Sequence, residues 1–497
     1  MLNLEEKLHL YFGIDLFRPG QRSAVEAILA GRDVLALWPT GAGKSLVYQL
    51  ASQILPHLTL VVTPLVSLMF DQVRRMHTQG IYNAACLTAA QSREDNGQVL
   101  EALRTGYIKT LFLTPERLNS DEFLVRLRGT PISLLTIDEA HCICQWGHDF
   151  RPDYLLLGKA IQVLQPRSIL AMTATATPAA QEQIAYLLGL QNPLRLHLSL
   201  DRTNLHYSVQ EISRLEGRQI ALQHLYRRGG LPAVVYINQR QECETTARYF
   251  CENGLQAAFY HAGMRPDERQ TVQKRFLDDE LQVITATTAF GMGVDKPNVR
   301  QVIHLTPSGS LEEYYQESGR AGRDGQEAYC LLLYSRQSFE RSFTQLEERY
   351  PTPEMLAAIY QALWSCSPAQ LRQHFLSLSP ASWRQTLNAV LGYNYQNGEV
   401  QQPQRPLESV NAYLDYLYSN DRQRLQAMQN YALGTRCRRS LLLEYFGEQT
   451  TGFCDKCDVC RPPAPLYKPS TWKLIRQKAQ KWASYLAGGT MTPAQQG

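Results

Sequence analysis

The sequence lacks an apolar run of eighteen or more residues, the length that a membrane-spanning helix needs. Its first residues, MLNLEEKL, are acidic and amphipathic, which is not the pattern of a secretory signal peptide. The net charge of +4 is too small to indicate a polyanionic partner by itself. With 44% hydrophobic and 19% charged residues, the composition predicts a soluble globular protein of about three domains, without a membrane partner.

A disulfide framework is also not expected, although the chain has eleven cysteines. Without an export signal, the thiols are predicted to stay reduced in a cytoplasm. Four of them follow the spacing C-x16-C-x2-C-x2-C and are Cys437, Cys454, Cys457 and Cys460. One thiolate from a helix and three from a tight turn make a closed tetrahedral Zn²⁺ site, which predicts a structural metal, whereas incidental thiols are the alternative.

The last part of the chain lacks acidic residues. Residues 461–497 contain six Lys or Arg and no Asp or Glu, so this tail would add affinity for nucleic-acid phosphates or would be a solvated helix. Before the cysteines, residues from about 340 to 430 have a helical pattern with two Ser-Pro steps and the turn-and-strand signal NGEVQQP. This pattern permits a small winged-helix-like unit, and the alternative is a helical spacer.

Short β-rich runs alternate with helical patterns through the first 335 residues, which predicts an α/β fold with parallel sheets. The runs divide into two series around DRTNLHY (201–207), so two sheet domains with a cleft between them are expected. The first series is VLALW (34–38), LTLVVT (58–63), TLFLT (110–114), LLTI (134–137) and ILAMT (169–173). The second series is AVVYI (233–237), AAFY (257–260), QVITA (282–286), QVIHL (301–305) and YCLLLY (329–334).

The stretch WPTGAGKS (38–45) lies between a predicted strand and a helical pattern, which is the context of a phosphate-binding loop. Lys44 would reach the β and γ oxygens of ATP, and the Ser45 hydroxyl would bind Mg²⁺. Trp38 stands where the strict pattern has its first glycine, so a Gly-rich turn without nucleotide is the alternative. The residues expected to hold the nucleotide here are Thr40, Gly41, Gly43, Lys44 and Ser45.

Two carboxylates, Asp138 and Glu139, follow the predicted strand LLTI, so they would emerge at a strand end where nucleotide lies. Asp138 would hold Mg²⁺, and Glu139 would orient or deprotonate the attacking water. The next ten residues, HCICQWGHDF (141–150), contain the residue types of a metal site. A second metal cluster and a loop attached to a nucleotide site are therefore competing interpretations of this stretch.

The stretch QESGRAGRDG (316–325) places Arg320 and Arg323 three residues apart, which on a helix would direct both to one face. A guanidinium that reaches across the cleft would stabilise charge on the γ-phosphate, whereas a solvated basic helix is the alternative.

Taken together, these motifs resemble the RecQ-type DNA helicases of superfamily 2 in order and spacing. The resemblance covers about residues 10–335, resumes near 422, and rests on FRPGQ (17–21), PTGAGKS, TPLVSLM, TPERL, DEAH, QWGHDFRPDY, TATAT, YHAGM, TTAFGMGVDKPNV and QESGRAGRDG. It implies two tandem RecA-like lobes, ATP hydrolysis in the cleft and 3′-to-5′ movement on single-stranded DNA. The segment with CRR and YFGE likewise resembles the zinc-binding subdomain of that family.

The resemblance also assigns roles to individual residues. Gln21 would read adenine and Arg18 would lie against the base, while Asp295 would contact the nucleotide and Gln316 would join Arg320 and Arg323 in catalysis. QWGHDFRPDY resembles an aromatic-rich loop that senses DNA, which favours the loop interpretation of HCICQWGHDF over a metal. The residues that would couple DNA to hydrolysis are His141, Trp146, His148, Phe150, Arg151, Thr173 and Thr175.

The expected domains are a first helicase lobe (1–203), a second lobe (204–340), a helical insertion (341–425), a zinc-binding subdomain (426–463) and a basic tail (464–497). The 37 residues after Cys460 are too few for the winged-helix and helical DNA-binding domains usual in the family.

The expected function is an ATP-dependent 3′–5′ DNA helicase that unwinds tailed or forked duplexes in recombination and repair. It would use ATP, Mg²⁺ and Zn²⁺ and act in a bacterial-type cytoplasm at the nucleoid. The alternatives are a DNA-stimulated translocase without strand separation and a zinc-dependent nucleic-acid-binding protein with an inactive ATPase fold.

Overall fold

The structure is a computed structural model that describes residues 3–39, 41–144, 152–213, 216–226, 230–291, 294, 296–367, 370, 395–396, 399–400, 407–450 and 452–461. The chain forms two compact units that are interleaved in sequence. Unit 1 comprises Met1–Leu200, Ser342–Leu425 and Phe446–Glu448. Unit 2 comprises Asp201–Arg341, Gln426–Tyr445 and Gln449–Gly497. Because the units are interleaved, the contiguous domain boundaries expected from the sequence remain predictions.

Unit 1 contains a seven-stranded sheet. Its strands are β1 (Val34–Leu37), β2 (Leu58–Val62), β3 (Ala84–Leu87), β4 (Thr110–Leu113), β5 (Ile132–Ile137), β6 (Ile169–Thr173) and β7 (Leu194–His197). They lie in the order β3-β4-β2-β5-β6-β1-β7, and every neighbouring pair is parallel. The order brings the carboxyl ends of β5, β6 and β1 next to one another.

The sheet of unit 1 has an apolar core on each face. Along β1, Leu35 and Leu37 belong to one buried cluster, whereas Val34 and Ala36 belong to the other. Successive side chains of a strand point to opposite faces, so a strand that is covered on both sides must be apolar throughout. This is why the strands appear in the sequence as continuous apolar runs.

The helices of unit 1 cover the sheet, and several of them start at side-chain caps. For example, the Thr177 hydroxyl accepts a hydrogen bond from the N–H of Ala180, and Pro178 takes the first helical position of its helix. The helices are α1 (Leu4–Phe12), α2 (Gln21–Leu29), α3 (Lys44–Ile54), α4 (Val66–Thr78), α5 (Arg93–Arg104), α6 (Pro115–Leu118), α7 (Asp121–Leu127), α8 (Pro152–Leu155), α9 (Leu157–Leu164) and α10 (Pro178–Leu188), with a 3₁₀ helix at Ala140–Ile143.

Unit 2 contains a six-stranded sheet that is also entirely parallel. Its strands are β8 (Leu205–Glu211), β9 (Ala233–Tyr236), β10 (Ala257–Tyr260), β11 (Val283–Ala286), β12 (Gln301–His304) and β13 (Ala328–Tyr334), in the order β10-β11-β9-β12-β13-β8. Its helices are α11 (Gly217–Leu225), α12 (Arg240–Glu252), α13 (Pro266–Leu277) and α14 (Leu311–Ser318).

In the described part of the chain, four further helices follow the second sheet: α15 (Arg336–Glu347), α16 (Pro353–Ser365), α17 (Leu407–Leu433) and α18 (Arg438–Tyr445). Within unit 1, α16 and the first part of α17 share a core that includes Leu356, Ile359 and Leu414. A short antiparallel pair, β14 (Tyr395–Gln396) with β15 (Glu399–Val400), forms at the predicted turn-and-strand signal. The winged-helix-like unit proposed for this segment remains a prediction, because most of residues 368–406 lie outside the described part of the chain.

The predicted fold class of two parallel-sheet lobes, a helical segment and a cysteine cluster is confirmed. All ten predicted strands are present, whereas β3, β7 and β8 were not predicted from the sequence. β7 and β8 are edge strands with many half-buried or exposed residues, so their sequences have polar residues among the apolar ones. Within the described ranges, no helix is both long and apolar enough to cross a membrane.

Candidate functional site

The predicted phosphate-binding loop follows β1 and leads into α3. Gly41 and Gly43 have φ values of 86° and 80°, in the left-handed region that favours glycine. A Cβ atom on Gly43 would lie only 2.5 Å from Nε2 of Gln21. Glycine is therefore required there both for the backbone turn and for the close approach of a neighbouring side chain.

Lys44 is the first residue of α3, so it lies where the backbone N–H groups of a helix start have no partner inside the helix. Its Nζ atom is buried and has no hydrogen-bond partner among the described residues. A buried ammonium without a partner is costly, and a phosphate oxygen would supply the missing acceptor. The local geometry is therefore that of an anion site.

Gln21 and Arg18 hold the loop from the side. The N–H of Arg18 donates to Oε1 of Gln21 at 2.8 Å, and Nε2 of Gln21 donates to the carbonyl of Gly43 at 3.0 Å. The Arg18 guanidinium donates to the carbonyl of Gly41 at 2.6 Å. Both side chains thus contact the loop, and their predicted roles toward adenine remain predictions.

Trp38, which replaces the first glycine of the strict pattern, has a structural role. Its side chain is fully buried, and its backbone N–H donates to the carbonyl of Thr173 at 3.0 Å. A Cβ atom on Gly20 would lie 3.0 Å from the indole ring, so the ring packs directly against the FRPGQ segment. Trp38 therefore packs the FRPGQ segment against the phosphate-binding loop and does not disrupt the loop.

Asp138 and Glu139 follow β5 directly. Burial, and the charge of Glu139 next to it, raise the pKa of Asp138 to about 6, and the Lys44 ammonium opposes this rise. Glu139 has φ 50° and ψ 46°, a left-handed conformation that costs free energy in a residue with a side chain. The two carboxylates are thus held close together at a strand end, where a cation would relieve their repulsion.

His141 connects the carboxylates to the end of β6. Its Nδ1 lies 2.8 Å from the Thr173 hydroxyl and 3.3 Å from Oε2 of Glu139. The Thr173 oxygen also accepts a hydrogen bond from the N–H of Thr175 at 3.2 Å. A path of close contacts therefore runs from Glu139 through His141 to Thr173 and Thr175. It is hydrogen-bonded from His141 onward, and all of these residues but Glu139 are buried.

In unit 2, the predicted arginine pair lies in a turn. The expectation that a helix presents Arg320 and Arg323 on one face is wrong, because α14 ends at Ser318 and Gly319 is its cap. The Arg320 guanidinium hydrogen-bonds the Tyr236 hydroxyl, and Nη1 of Arg323 donates to the carbonyl of Val294 at 3.0 Å. Gln316 is in α14 and is half-buried. Gly319 follows the last residue of α14, and residues 319–324 form turns instead of continuing the helix.

The four predicted metal ligands come together in unit 2. The Sγ atoms of Cys437, Cys454, Cys457 and Cys460 all lie within 4.8 Å of one another. Zinc–sulfur bonds of about 2.3 Å in a tetrahedron put sulfur atoms about 3.8 Å apart, and the sulfurs of Cys437 and Cys457 are 4.0 Å apart. The donor set and its spacing therefore fit Zn²⁺.

One cysteine of the cluster, Cys437, favours the thiolate, whereas burial raises the pKa of Cys454 and of Cys460. Burial acts to raise the pKa of Cys437, but hydrogen bonds from the side chain and backbone of Ser440 outweigh it and lower the pKa to about 7. The backbone N–H of Cys460 points at the sulfur of Cys457, 3.4 Å away. Hydrogen bonds to sulfur stabilise the charged form, which is the form that binds a metal.

Several predicted residues lie outside the described part of the chain. They are Thr40, Asp295, Trp146, His148, Phe150 and Arg151. The competing metal interpretation of HCICQWGHDF thus concerns residues that are only partly described. Of its cysteines, Cys142 is buried in the apolar core and Cys144 packs against that core.

Tyr154 contributes to the site but was not predicted from the sequence. Its hydroxyl donates to the backbone carbonyl of Asp138 at 3.1 Å, and its ring is buried. Tyr154 is the last residue of QWGHDFRPDY, so the described end of this stretch contacts the backbone of the carboxylate pair. A tyrosine among apolar residues gives no sequence signal for such a contact.

Replacing Lys44 with Ala is expected to lower the ATP turnover number by at least about a hundredfold, because a charge that stabilises the transferred phosphate is lost. Binding of single-stranded DNA should be unchanged, since the side chain serves the phosphates. Lys159→Ala is the matched control, because Lys159 in the same unit makes only a loose exposed ion pair. Wild-type turnover in Lys44→Ala would refute the site.

Metal analysis is expected to find about one zinc ion per chain, and Cys457→Ser should lose it. This variant should also be destabilised by several kcal/mol in thermal unfolding, because the free energy of metal binding contributes to folding there. The matched control is Cys251→Ser, an exposed thiol of unit 2 outside the cluster. A zinc-free wild-type protein would contradict the assignment.

Three family models match the chain. They are DEAD/DEAH box helicase over residues 18–184, helicase conserved C-terminal domain over 217–325 and RecQ zinc-binding over 398–461. Among solved structures, the chain is similar to Saccharomyces cerevisiae Dbp5 bound to RNA and ADP BeF3, with a TM-score of 0.55 and 13% identity over 68% of this chain and 89% of that one. It is also similar to Mycobacterium smegmatis helicase Lhr bound to ssDNA and AMP-PNP, with a TM-score of 0.53 and 18% identity over 84% of this chain and 57% of that one. At these identities, the likeness concerns the fold alone.

Two curated relatives are more informative. The ATP-dependent DNA helicase RecQ of Pasteurella multocida is 34% identical over 460 residues, which are 93% of this chain and 62% of that protein. The probable ATP-dependent DNA helicase RecS of Bacillus subtilis is 33% identical over 490 residues, 98% of this chain and 97% of that protein. The chain thus spans about three fifths of one relative and nearly all of the other, and it belongs to the RecQ-type family of ATP-dependent DNA helicases.

Proposed function

We propose that this protein is an ATP-dependent DNA helicase that moves 3′ to 5′ on single-stranded DNA and unwinds duplexes in recombination and repair at the nucleoid. The observation that carries the proposal is the buried Lys44 ammonium without a partner, at a helix start beside Asp138 and Glu139. The names of the relatives, which are DNA helicases, support DNA as the substrate.

In this proposal, the loop after β1 binds the phosphates of ATP. The N–H groups at the start of α3 point toward the anion, and Lys44 supplies the positive charge. Ser45 and Asp138 would hold Mg²⁺, which neutralises charge on the β and γ oxygens when it is bound. The fit to a cation rests on the two adjacent carboxylates, because burial and the charge of Glu139 both raise the pKa of Asp138.

Glu139 is the proposed base. Its left-handed backbone aims the carboxylate away from the direction that an extended strand would give it, and its Oε2 atom is buried. A carboxylate that is held rigidly, with an oxygen free of hydrogen-bond donors, can accept the proton of the attacking water. Arg320 and Arg323 are proposed to stabilise the charge that develops on the γ-phosphate.

Coupling to DNA is assigned to the path through His141. The ring bridges Glu139 and Thr173, so any movement of the strand end after β6 changes the surroundings of the base. The loop at 145–151 begins four residues after His141, and Tyr154 attaches its far end to Asp138. DNA that contacts this loop would therefore act on hydrolysis through both ends of the loop.

The second candidate is a DNA-stimulated translocase without strand separation. It would use the same ATP site, so the geometry around Lys44, Asp138 and Glu139 supports it as well. A zinc-dependent binding protein with an inactive ATPase is disfavoured. Lys44, Asp138 and Glu139 are all present, and they follow the carboxyl ends of two strands of the same sheet.

With ATP, 3′-tailed and forked duplexes are expected to be unwound, and 5′-tailed duplexes are not. Strand displacement should be measured beside the DNA-stimulated ATPase rate, with Lys44→Ala as the inactive control. Stimulated hydrolysis without displacement would instead support the translocase, and displacement from 5′ tails alone would overturn the proposed polarity.

Thr173→Val is expected to lower the stimulation of ATP hydrolysis by single-stranded DNA by about fivefold or more, while the basal rate changes little. This variant loses the hydroxyl that contacts Nδ1 of His141 and accepts a hydrogen bond from the N–H of Thr175, whereas the groups that hold the nucleotide remain. The matched control is Thr136→Val in β5, whose buried hydroxyl has no hydrogen-bond partner. Normal stimulation of ATP hydrolysis by DNA in Thr173→Val would contradict the proposed coupling path.

A further inference from the structure

The turn that carries Arg320 and Arg323 is held by residues from far away in the sequence. The guanidinium of Arg202 donates to three backbone carbonyls of this turn, those of Gly319 at 3.2 Å, Ala321 at 3.0 Å and Gly322 at 2.8 Å. These carbonyls flank Arg320 on both sides. Arg202 is half-buried, so water competes less for these bonds than at an exposed site.

Asn204 holds the same turn two residues later. Its Nδ2 atom donates to the carbonyls of Gly322 and Gln326, both at 2.8 Å. Gly322 has φ +57°, and a Cβ atom there would lie 2.4 Å from this Nδ2. The side chain of Asn204 therefore occupies the space that any larger residue at position 322 would need, which explains why the turn contains glycine at this point.

The segment that provides Arg202 is itself fixed. Asp201 forms a two-pronged ion pair with the guanidinium of Arg439, a residue of α18. Beyond the turn, Arg300 pairs with Asp324 at 2.6 Å. The backbone around Arg320 is thus clamped by side chains on both sides, all within unit 2.

We propose that Arg202, assisted by Asn204, is a positioning residue that sets the place of the Arg320–Arg323 turn for ATP hydrolysis. This inference rests on the proposed function, in which the two arginines act on the γ-phosphate. A guanidinium has five N–H donors in a planar fork and can therefore hold three carbonyls at once, whereas the lysine ammonium cannot reproduce that fork.

In the proposed function, the Arg320–Arg323 turn must be placed accurately for ATP hydrolysis. A displacement of a catalytic group by an ångström can lower a rate by about a hundredfold, and α14 ends before the turn, so no helix fixes Arg320. With the side chain of Arg202 removed, the three carbonyls lose their donors and the turn has fewer constraints. The ATP-binding loop in unit 1 would be unaffected, so binding and turnover should respond differently.

The test compares Arg202→Gln and Arg202→Lys with the matched control Arg336→Gln, an exposed arginine of the same unit. Turnover is expected to fall about tenfold to a hundredfold in Arg202→Gln, and less in Arg202→Lys. The affinity for ADP should be unchanged, while the affinity for ADP with aluminium fluoride, which mimics the transferring phosphate, should fall with the turnover. Equal losses for both ligands, or wild-type turnover, would overturn the proposal.

A mutant cycle that treats the two arginines as one site shows whether Arg202 acts through the turn. In a background with both Arg320→Gln and Arg323→Gln, adding Arg202→Gln should lower turnover by less than about threefold, since both groups that it positions are already absent. The same loss in both backgrounds would mean that Arg202 acts independently of the two arginines, which contradicts positioning.

Amide hydrogen exchange gives a measurement that does not depend on activity. Arg202→Gln should speed exchange at residues 319–322 and leave β9 and β12 unchanged. Unchanged exchange at 319–322 would overturn the proposal even if the wild-type protein failed to hydrolyse ATP, a failure that would refute only the proposed function. Zinc content and thermal unfolding show whether Arg202→Gln is misfolded. If it is, Asn204→Ala is tested instead, and the same changes in exchange and turnover are expected.

Discussion

A parallel sheet with an apolar core on both faces leaves its strand ends as the place for polar chemistry, and the rest of this structure depends on that constraint. In unit 1, strands β5, β6 and β1 are neighbours. Their carboxyl ends lead to Asp138 and Glu139, to Thr173 and to the loop before Lys44. Groups that are up to 135 residues apart in sequence therefore meet without any additional scaffold, and burial of the strands fixes their spacing.

The features that could be predicted from the sequence are those with a local cause. A strand covered on both faces must be an apolar run, so all ten predicted strands are found, and a phosphate loop needs glycines at fixed positions. The cysteine spacing predicts a metal cluster because three ligands come from one short turn. Each of these patterns records a constraint that a few neighbouring residues satisfy by themselves.

The features that could not be predicted from the sequence depend on the fold or on contacts with residues that are not neighbours in the sequence. The helix α14 ends at Ser318 although its cap residue, Gly319, keeps a right-handed backbone, so spacing alone suggested that the arginines lie on a helix. The contact of Tyr154 with Asp138 and the bonds from Arg202 to the turn join residues separated by 16 and by more than 100 positions. A polar side chain of this kind has no periodicity, and its partner is decided only by the fold.

The zinc-binding segment is also explained by a strand edge. β8 is the outer strand of the second sheet, and an open edge offers unpaired N–H and C=O groups. Here Tyr207 exchanges backbone hydrogen bonds with Lys456 and Asp458, and the Asp458 carboxylate accepts from the N–H of Val209 and from Arg438. The two residues that pair with the edge flank the ligand Cys457. Since metal binding fixes the shape of that turn, its free energy also stabilises the pairing that closes the sheet.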